Sequence, residues 1–219
     1  MKRTKFIIPA IVLFALTLNI QITAQDNIAC GMEVTYQGKI YKTIQIGKQC
    51  WFKENLNVGT MINVSSSQTK NDSIEKYCYN DDPANCEIYG GLYRWDEAMQ
   101  YVKTVGAQGI CPSGWHIPTK EDWEILQEYL NDEATKLIDK NAKSGSTYTN
   151  ESGFSALFSG YSNSIWVCCY GLGYYGYQWT STETSNRNAY GIFMSYNYDN
   201  ISFNYDKKNN GLAIRCIKD

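Results

Sequence analysis

A chain of 219 residues suits one domain with its own core and is short for several. Its 20 basic and 22 acidic residues leave a formal charge of −2, so no strong field draws it to nucleic acid or to an anionic membrane surface. A single histidine among eight cysteines rules out a metal centre built on paired imidazoles and turns attention to disulfides.

The first 24 residues read as a secretory signal peptide rather than as part of the domain. Met1 to Lys5 is basic, Phe6 to Leu18 is almost wholly apolar, and Asn19 to Ala24 leads to a small residue with a cut expected after Ala24. The alternative is a retained anchor helix, but the apolar run is too short for a bilayer, which needs about 20 residues. Lipid attachment at Cys30 is not expected, because Asn27-Ile28-Ala29 puts Asn where an aliphatic residue belongs. Cleavage removes three basic and no acidic residues, taking the charge from −2 to −5. No later segment is apolar for long enough to cross a membrane, so residues 25–219 are expected to form one exported domain with no transmembrane segment.

All eight cysteines lie beyond the cut, at 30, 50, 78, 86, 111, 168, 169 and 216. An even count in an exported chain implies a disulfide framework, although eight cysteines allow 105 pairings. Cys78 and Cys86 bracket a turn-rich loop that can bring them together. Cys168 and Cys169 are adjacent, and a bridge between neighbours strains the backbone. No C-x-x-C spacing supports zinc.

Residues 32–46 read as strands around Gln37-Gly38-Lys39, a turn with glycine where positive φ is needed. Gly47-Lys48 turns the chain again into Cys50-Trp51-Phe52, completing a short antiparallel meander. Residues 57–76 lack periodicity and read as a surface loop, within which Asp72-Ser73-Ile74 resembles a short O-glycosylation acceptor. Trp95, Ala98, Met99 and Val102 follow i, i+3, i+4, i+7 spacing, which predicts a helix over 94–103. A second helix starts where Thr119 caps and Asp122 answers three residues on, with Trp123, Leu126 and Leu130 on one face. Glu133 to Lys140 reads as a short third helix.

Beyond the Gly/Ser/Thr/Asn loop at 141–152 the composition changes. Nine of the eighteen tyrosines fall between Tyr161 and Tyr205. Tyr190, Ile192, Met194, Tyr196 and Tyr198 alternate, as do Ile201, Phe203 and Tyr205, with Asp199-Asn200 as the expected hairpin turn. Residues 211–217 make a last strand. Strands, helices, then strands imply an α+β fold.

The ordered blocks Gly47-Lys48-Gln49-Cys50-Trp51-Phe52-Lys53-Glu54-Asn55-Leu56, Tyr77 to Cys86 with Tyr89 to Trp95, Cys111 to Thr119 with Trp123, Gly153 to Leu157, Trp179 to Glu183 and Ile214 to Asp219 resemble the Fibrobacter succinogenes major paralogous domain, found in exported proteins of Bacteroidetes and Fibrobacteres. The resemblance runs from about Cys30 to Asp219. It implies a C-type-lectin-like fold, with terminal strands paired, two helices to one side and a second small sheet carrying long loops. It also implies the pairings Cys30–Cys50, Cys78–Cys86 and Cys111–Cys216, leaving Cys168 and Cys169 outside the family pattern. The calcium-coordinating Glu-Pro-Asn and Gln-Pro-Asp triplets of sugar-binding lectins are absent, so calcium-dependent sugar binding does not come with the resemblance.

Chemistry in the sequence is sparse. His116 sits before a helix cap and reads as structural, bonded to backbone; the Cys-Pro-Ser-Gly-Trp around it is no nucleophile elbow. Asp81, Asp82, Asn85 and Glu87 gather oxygen ligands, which is a calcium option, yet a solvated turn explains them better and no cofactor is expected. The adjacent cysteines raise an oxidase by analogy with formylglycine-generating relatives, whose cysteines are separated, and neither an oxidase nor a hydrolase is favoured. The strongest functional signal is aromatic and amide density, similar in composition to a paratope. Tyr174, Tyr175, Tyr177, Trp179, Asn186, Arg187, Asn188, Tyr198, Asp199 and Asn200 are the candidate ligand contacts, although tyrosine also suits half-exposed strands and Trp179 suits a core. The expected role is a non-enzymatic binding module at the cell surface for a glycan or a protein. The alternative is a structural, self-assembling surface or matrix component.

Overall fold

The computed structural model describes residues 29–164 and 168–219; the expected leader lies outside them. In chain order the strands are β1 (Glu33–Tyr36), β2 (Lys39–Ile46), β3 (Gln49–Phe52), β4 (Thr60–Met61) and β5 (Glu75–Lys76). Helices α1 (Pro83–Tyr89) and α2 (Trp95–Ala98), strand β6 (Trp115–His116) and helix α3 (Lys120–Tyr129) follow. The C-terminal half holds β7 (Ser159–Asn163), β8 (Cys168–Leu172), β9 (Tyr175–Glu183), β10 (Asn188–Ser195), β11 (Tyr198–Lys207) and β12 (Ile217–Lys218).

The expected meander forms, and the turn between β1 and β2 takes positive φ at both Gln37 (46°) and Gly38 (75°), which matches the twist of the flanking strands. The first sheet has the order β1-β2-β3-β12-β6, so the last strand of the chain lies between β3 and β6. Both faces of this sheet are covered at β3, while Ile40 and Lys42 of β2 are exposed. Tyr41, Cys50 and Phe52 join one core with Trp115, Ile214, Cys216 and Trp179. Ile46, Trp51 and Ile217 join another with Trp123, Leu126, Phe154 and Ile192. Period-two alternation thus sends successive side chains into different cores, and the sheet is fixed from both sides. The second sheet has the order β11-β10-β9-β7-β8, antiparallel except where β7 runs parallel to β9.

The expected capping box is present: Thr119 Oγ1 accepts from the Asp122 N–H, and Asp122 accepts from the Thr119 N–H. Several other expectations need correction. The α+β class is too helix-rich; the fold is mostly β, with short helices. The helix over 94–103 stops after Ala98 because Gln100 and Tyr101 take positive φ (50° and 59°), and Val102 is exposed. The third helix is only a 3-10 turn, Ala134–Lys136, although Leu137 and Ile138 are buried. The hairpin turn is at Tyr196-Asn197, since Ser195 pairs with Tyr198 and Asp199-Asn200 lie inside β11. Residues 211–217 are mostly single bridges, with strand only at Ile217–Lys218. The 57–76 segment is loop but not all surface, because Gln68 and Lys76 are buried and β4 pairs with β5. α1 falls in a stretch expected to be a turn. Asp82 caps it by accepting from the Ala84 N–H, and Pro83 fills its first position, where no N–H is needed.

Disulfides join Cys30 to Cys50, Cys78 to Cys86 and Cys111 to Cys216, matching all three pairs implied by the resemblance. The last spans a separation of 105 residues and ties β12 to the segment before β6. Closing a loop of that length stabilises a domain by about 4–5 kcal/mol in the chain-entropy account. The double variant Cys111→Ser/Cys216→Ser should therefore lose stability on that order in urea unfolding at equal m-value, a larger loss than opening the eight-residue Cys78–Cys86 loop causes.

Candidate functional site

The second sheet carries more aromatic rings than its core face can bury. Tyr175, Tyr177 and Trp179 project from the same side of β9, being two residues apart. Phe193 lies opposite Tyr177 on β10, while Tyr161 and Tyr170 face each other across β7 and β8. Five of these rings form a chain of contacts. Tyr170 meets Tyr161 at 6.0 Å between centroids, Tyr161 meets Tyr177 at 4.9 Å, Tyr177 meets Phe193 at 5.0 Å, and Phe193 meets Tyr175 at 5.6 Å. Tyr170 is exposed, and the other four are half-buried. Such tilted contacts hold rings in place while leaving part of each open.

The inner end of the strip runs into the core. Trp179 is fully buried, and its indole N–H donates to the Tyr93 carbonyl at 2.7 Å, so the expectation that it contacts a ligand is corrected. Opposite Trp179 stands Gly191. A Cβ there would lie 2.5 Å from Asp206 Oδ2, so the glycine makes room for a carboxylate folded against the sheet. Asp206 Oδ2 is buried and has no hydrogen-bond partner. Burial pushes the Asp206 carboxyl from its ordinary 3.8 up to about 6. The Tyr177 phenol is also pushed up, first by burial and then by the nearby Asp206 charge.

The remaining candidates do not gather at this strip. Tyr174 is exposed but its ring is covered by the Lys143 ammonium at 3.9 Å, which also lies 3.7 Å from the Tyr196 ring. Tyr198, Asp199 and Asn200 are exposed at the start of β11, close to the same end of the sheet. Asn186, Arg187 and Asn188 lie at the turn between β9 and β10, about 26 Å away by strand rise. There they line a cleft of about 550 Å³ with Asp96, Lys207, Lys208 and Asn209. Sequence reasoning missed Tyr161, Tyr170, Phe193 and Asp206. The available signal was phase: Phe193 falls between Ile192 and Met194, so it must face away from the side they bury.

The four oxygen-rich residues of the calcium option diverge. Asp81 accepts from Val64 N–H and Asn63, Asp82 caps α1, Asn85 donates to the Tyr79 carbonyl, and Glu87 pairs with Lys39 at 2.6 Å. His116 is bonded to carboxylates rather than to backbone: Nδ1 lies 2.7 Å from Asp219 and Nε2 lies 3.3 Å from Asp122, which ties the chain end to the start of α3. Cys169 is buried, and its sulfur accepts from the Asn80 N–H at 3.3 Å. The side chain of Cys168 lies outside the described residues.

A family model described as the Fibrobacter succinogenes major domain matches residues 44–218. No curated protein and no solved structure matches the chain.

Two pH effects follow from these charges. Between about pH 4 and pH 6 the folded chain holds a proton on Asp206 that the unfolded chain has lost, so stability falls as pH rises through that window. Asp206→Asn should remove this fall, gaining up to about 3 kcal/mol at pH 8 and nothing at pH 3.5 in chemical denaturation. His116 behaves differently. Burial pulls the imidazole down, but Asp122 and Asp219 outweigh it and the net direction is up. Its contribution is complete below the ordinary imidazole range and is lost as pH rises through the raised value. His116→Gln should therefore cost more stability at pH 5.5 than at pH 9.

Proposed function

The chain belongs to the Fibrobacter succinogenes major domain family, and on that footing we propose that it is an exported, non-enzymatic module that binds glycan through the Tyr161–Tyr170–Tyr175–Tyr177–Phe193 strip. The observation that carries this reading is the unbroken chain of partly open rings on one face of the second sheet. Flat aromatic faces offer apolar area to the C–H face of a sugar ring at little cost in side-chain entropy. Asp206, at the inner end, supplies an acceptor for a ring hydroxyl. A protein ligand is the other occupant such a strip suits.

Three disulfides point to an extracytoplasmic protein, and among the described residues no helix is long and apolar enough to cross a membrane. Secretion through the N-terminal leader is part of the proposal. A C-type-lectin-like classification is supported by the pairing of the chain's last strand, β12, with β3 of the N-terminal meander. A structural rather than catalytic His116 fits this reading, because both its nitrogens are engaged by the carboxylates of Asp122 and Asp219.

Self-assembly has one observation in its favour. β11 is a ten-residue edge strand, and edges of that length invite pairing. Part of that edge is closed, because the Ile201 N–H donates to Asp132 and its carbonyl accepts from Gln127.

Calorimetric titration with a panel of neutral oligosaccharides tests the binding reading. Tyr175→Ala and Tyr170→Ala should each weaken a genuine ligand by about fivefold, corresponding to about 1 kcal/mol per ring contact. A saturable glycan whose affinity ignores both changes would move the site elsewhere.

A further inference from the structure

The cleft at the far end of β9 differs from the strip in chemistry. Its walls come from the β9–β10 turn, the end of β11 and the start of α2, and its volume of about 550 Å³ suits a monosaccharide-sized group. Lys208 is almost fully buried at its base. The Lys208 ammonium reaches Glu183 at 2.5 Å and lies 3.9 Å over the Trp95 ring, so its charge is cancelled and its position fixed. Arg187 and Lys207 have no such partner: among the described residues neither side chain makes a hydrogen bond or ion pair. The side-chain amides of Asn186, Asn188 and Asn209 are likewise unengaged. Asp96 is the one acidic residue in the lining.

Two unpaired cations against one carboxylate leave the cleft with one net positive charge, on a chain whose total is −2. That balance fits a monoanion and disfavours a dianion, which Asp96 would repel. A guanidinium presents its donors as a planar fork that matches a carboxylate. Three amides around it can both donate to and accept from hydroxyl groups. From this arrangement we propose that the cleft binds the carboxylate and neighbouring hydroxyls of an acidic sugar, with Arg187 holding the carboxylate, Lys207 adding charge and the asparagines reading the hydroxyls. The cleft lies beyond the far end of β9, about 20 Å along the strand from Tyr177, and none of the five rings lines it.

The test is titration of the full chain, followed by NMR of the asparagine side-chain amides and by calorimetry, with D-glucuronate, D-glucose, acetate and a short peptide ending in a free carboxylate. D-glucuronate should bind saturably and shift the Asn186, Asn188 and Asn209 amides, while D-glucose should not. Arg187→Gln should weaken glucuronate by about tenfold or more, the amount typical of a charge-assisted hydrogen bond. Raising salt should weaken it further. Tyr175→Ala should leave it unchanged, which separates this site from the strip. Arg187→Gln lies on an exposed turn and is expected to fold; an unchanged thermal midpoint checks this, and Lys207→Gln serves as the second variant. Equal binding of acetate or of the peptide would overturn the sugar assignment. Absence of glucuronate binding, or indifference to both Arg187→Gln and Lys207→Gln, would overturn the site.

Discussion

A single buried guanidinium holds the distant parts of this chain together. Arg215 is 1% exposed and, among the described residues, is held by amide and carbonyl oxygens rather than by an ion pair. Its Nε and Nη2 donate to Asn55 Oδ1 at 3.1 and 2.9 Å, Nη1 donates to the Phe154 carbonyl at 2.5 Å, and Nη2 also reaches the Ser155 carbonyl. The Phe154 ring lies 4.1 Å away. Burial pulls the guanidinium down to about 9, which is a measure of how little water stabilises it. A buried charge of this kind is tolerated only while every acceptor stays in place. Asn55 must therefore be held too, and it is: its amide donates to the Tyr89 carbonyl, and Gln178 donates to its oxygen. Five segments far apart in sequence are thereby locked to one point, with the Cys111–Cys216 bridge one residue away.

That arrangement explains where a ligand surface can exist. The first sheet is occupied on both faces, because its alternate side chains feed two separate cores. At β3 no face is left free, although Ile40 and Lys42 of β2 stay exposed. The second sheet buries Ile192, Met194 and Ile201 on one side, while its other side enters the core at Trp179 and Ala189, with Tyr161 and Tyr177 packed against that core. Further along β9 and β10 that side carries rings with no opposing layer to bury them fully. The strip thus lies where the layering of the fold runs out, and the first sheet with its disulfides acts as the rigid support behind it.

Local features were legible in the sequence and long-range ones were not. The capping box at Thr119 and Asp122 needs only four consecutive residues, so its chemistry reads directly. Asp82-Pro83 carries an equally local signal for α1, but the density of turn-forming residues around it reads as a solvated turn instead. The helix at Trp95 was overextended because spacing alone cannot register that Gln100 and Tyr101 turn left-handed. The hairpin was placed by turn composition at Asp199-Asn200, whereas strand register, with its irregularity between Phe193 and Ser195, puts the reversal at Tyr196-Asn197. The split of the candidate residues between two ends of one sheet follows from β9 being a continuous nine-residue strand. Nothing local to Arg215 marks Asn55 as its partner, since 160 positions separate them. The family blocks contain both residues, and block order preserves them without revealing that they touch.

Asp206 is the place where the physical cost is least explained by folding alone. Gly191 gives up a side chain to admit it, yet its inner oxygen gains no donor in return. An apolar residue leaning on Gly191 and Leu212 would pack the same space without the desolvation penalty. Other buried charges are better served, since Glu97 accepts from Glu75 N–H and Tyr101 and Lys76 donates to Asn57, although Arg94 Nε, Trp123 Nε1 and Gln178 Oε1 are also buried without partners. Asp206 Oδ2 is the one carboxylate oxygen among these unsatisfied atoms, so ionising it beside Tyr177, at the inner end of five linked rings, carries a desolvation cost that no donor offsets.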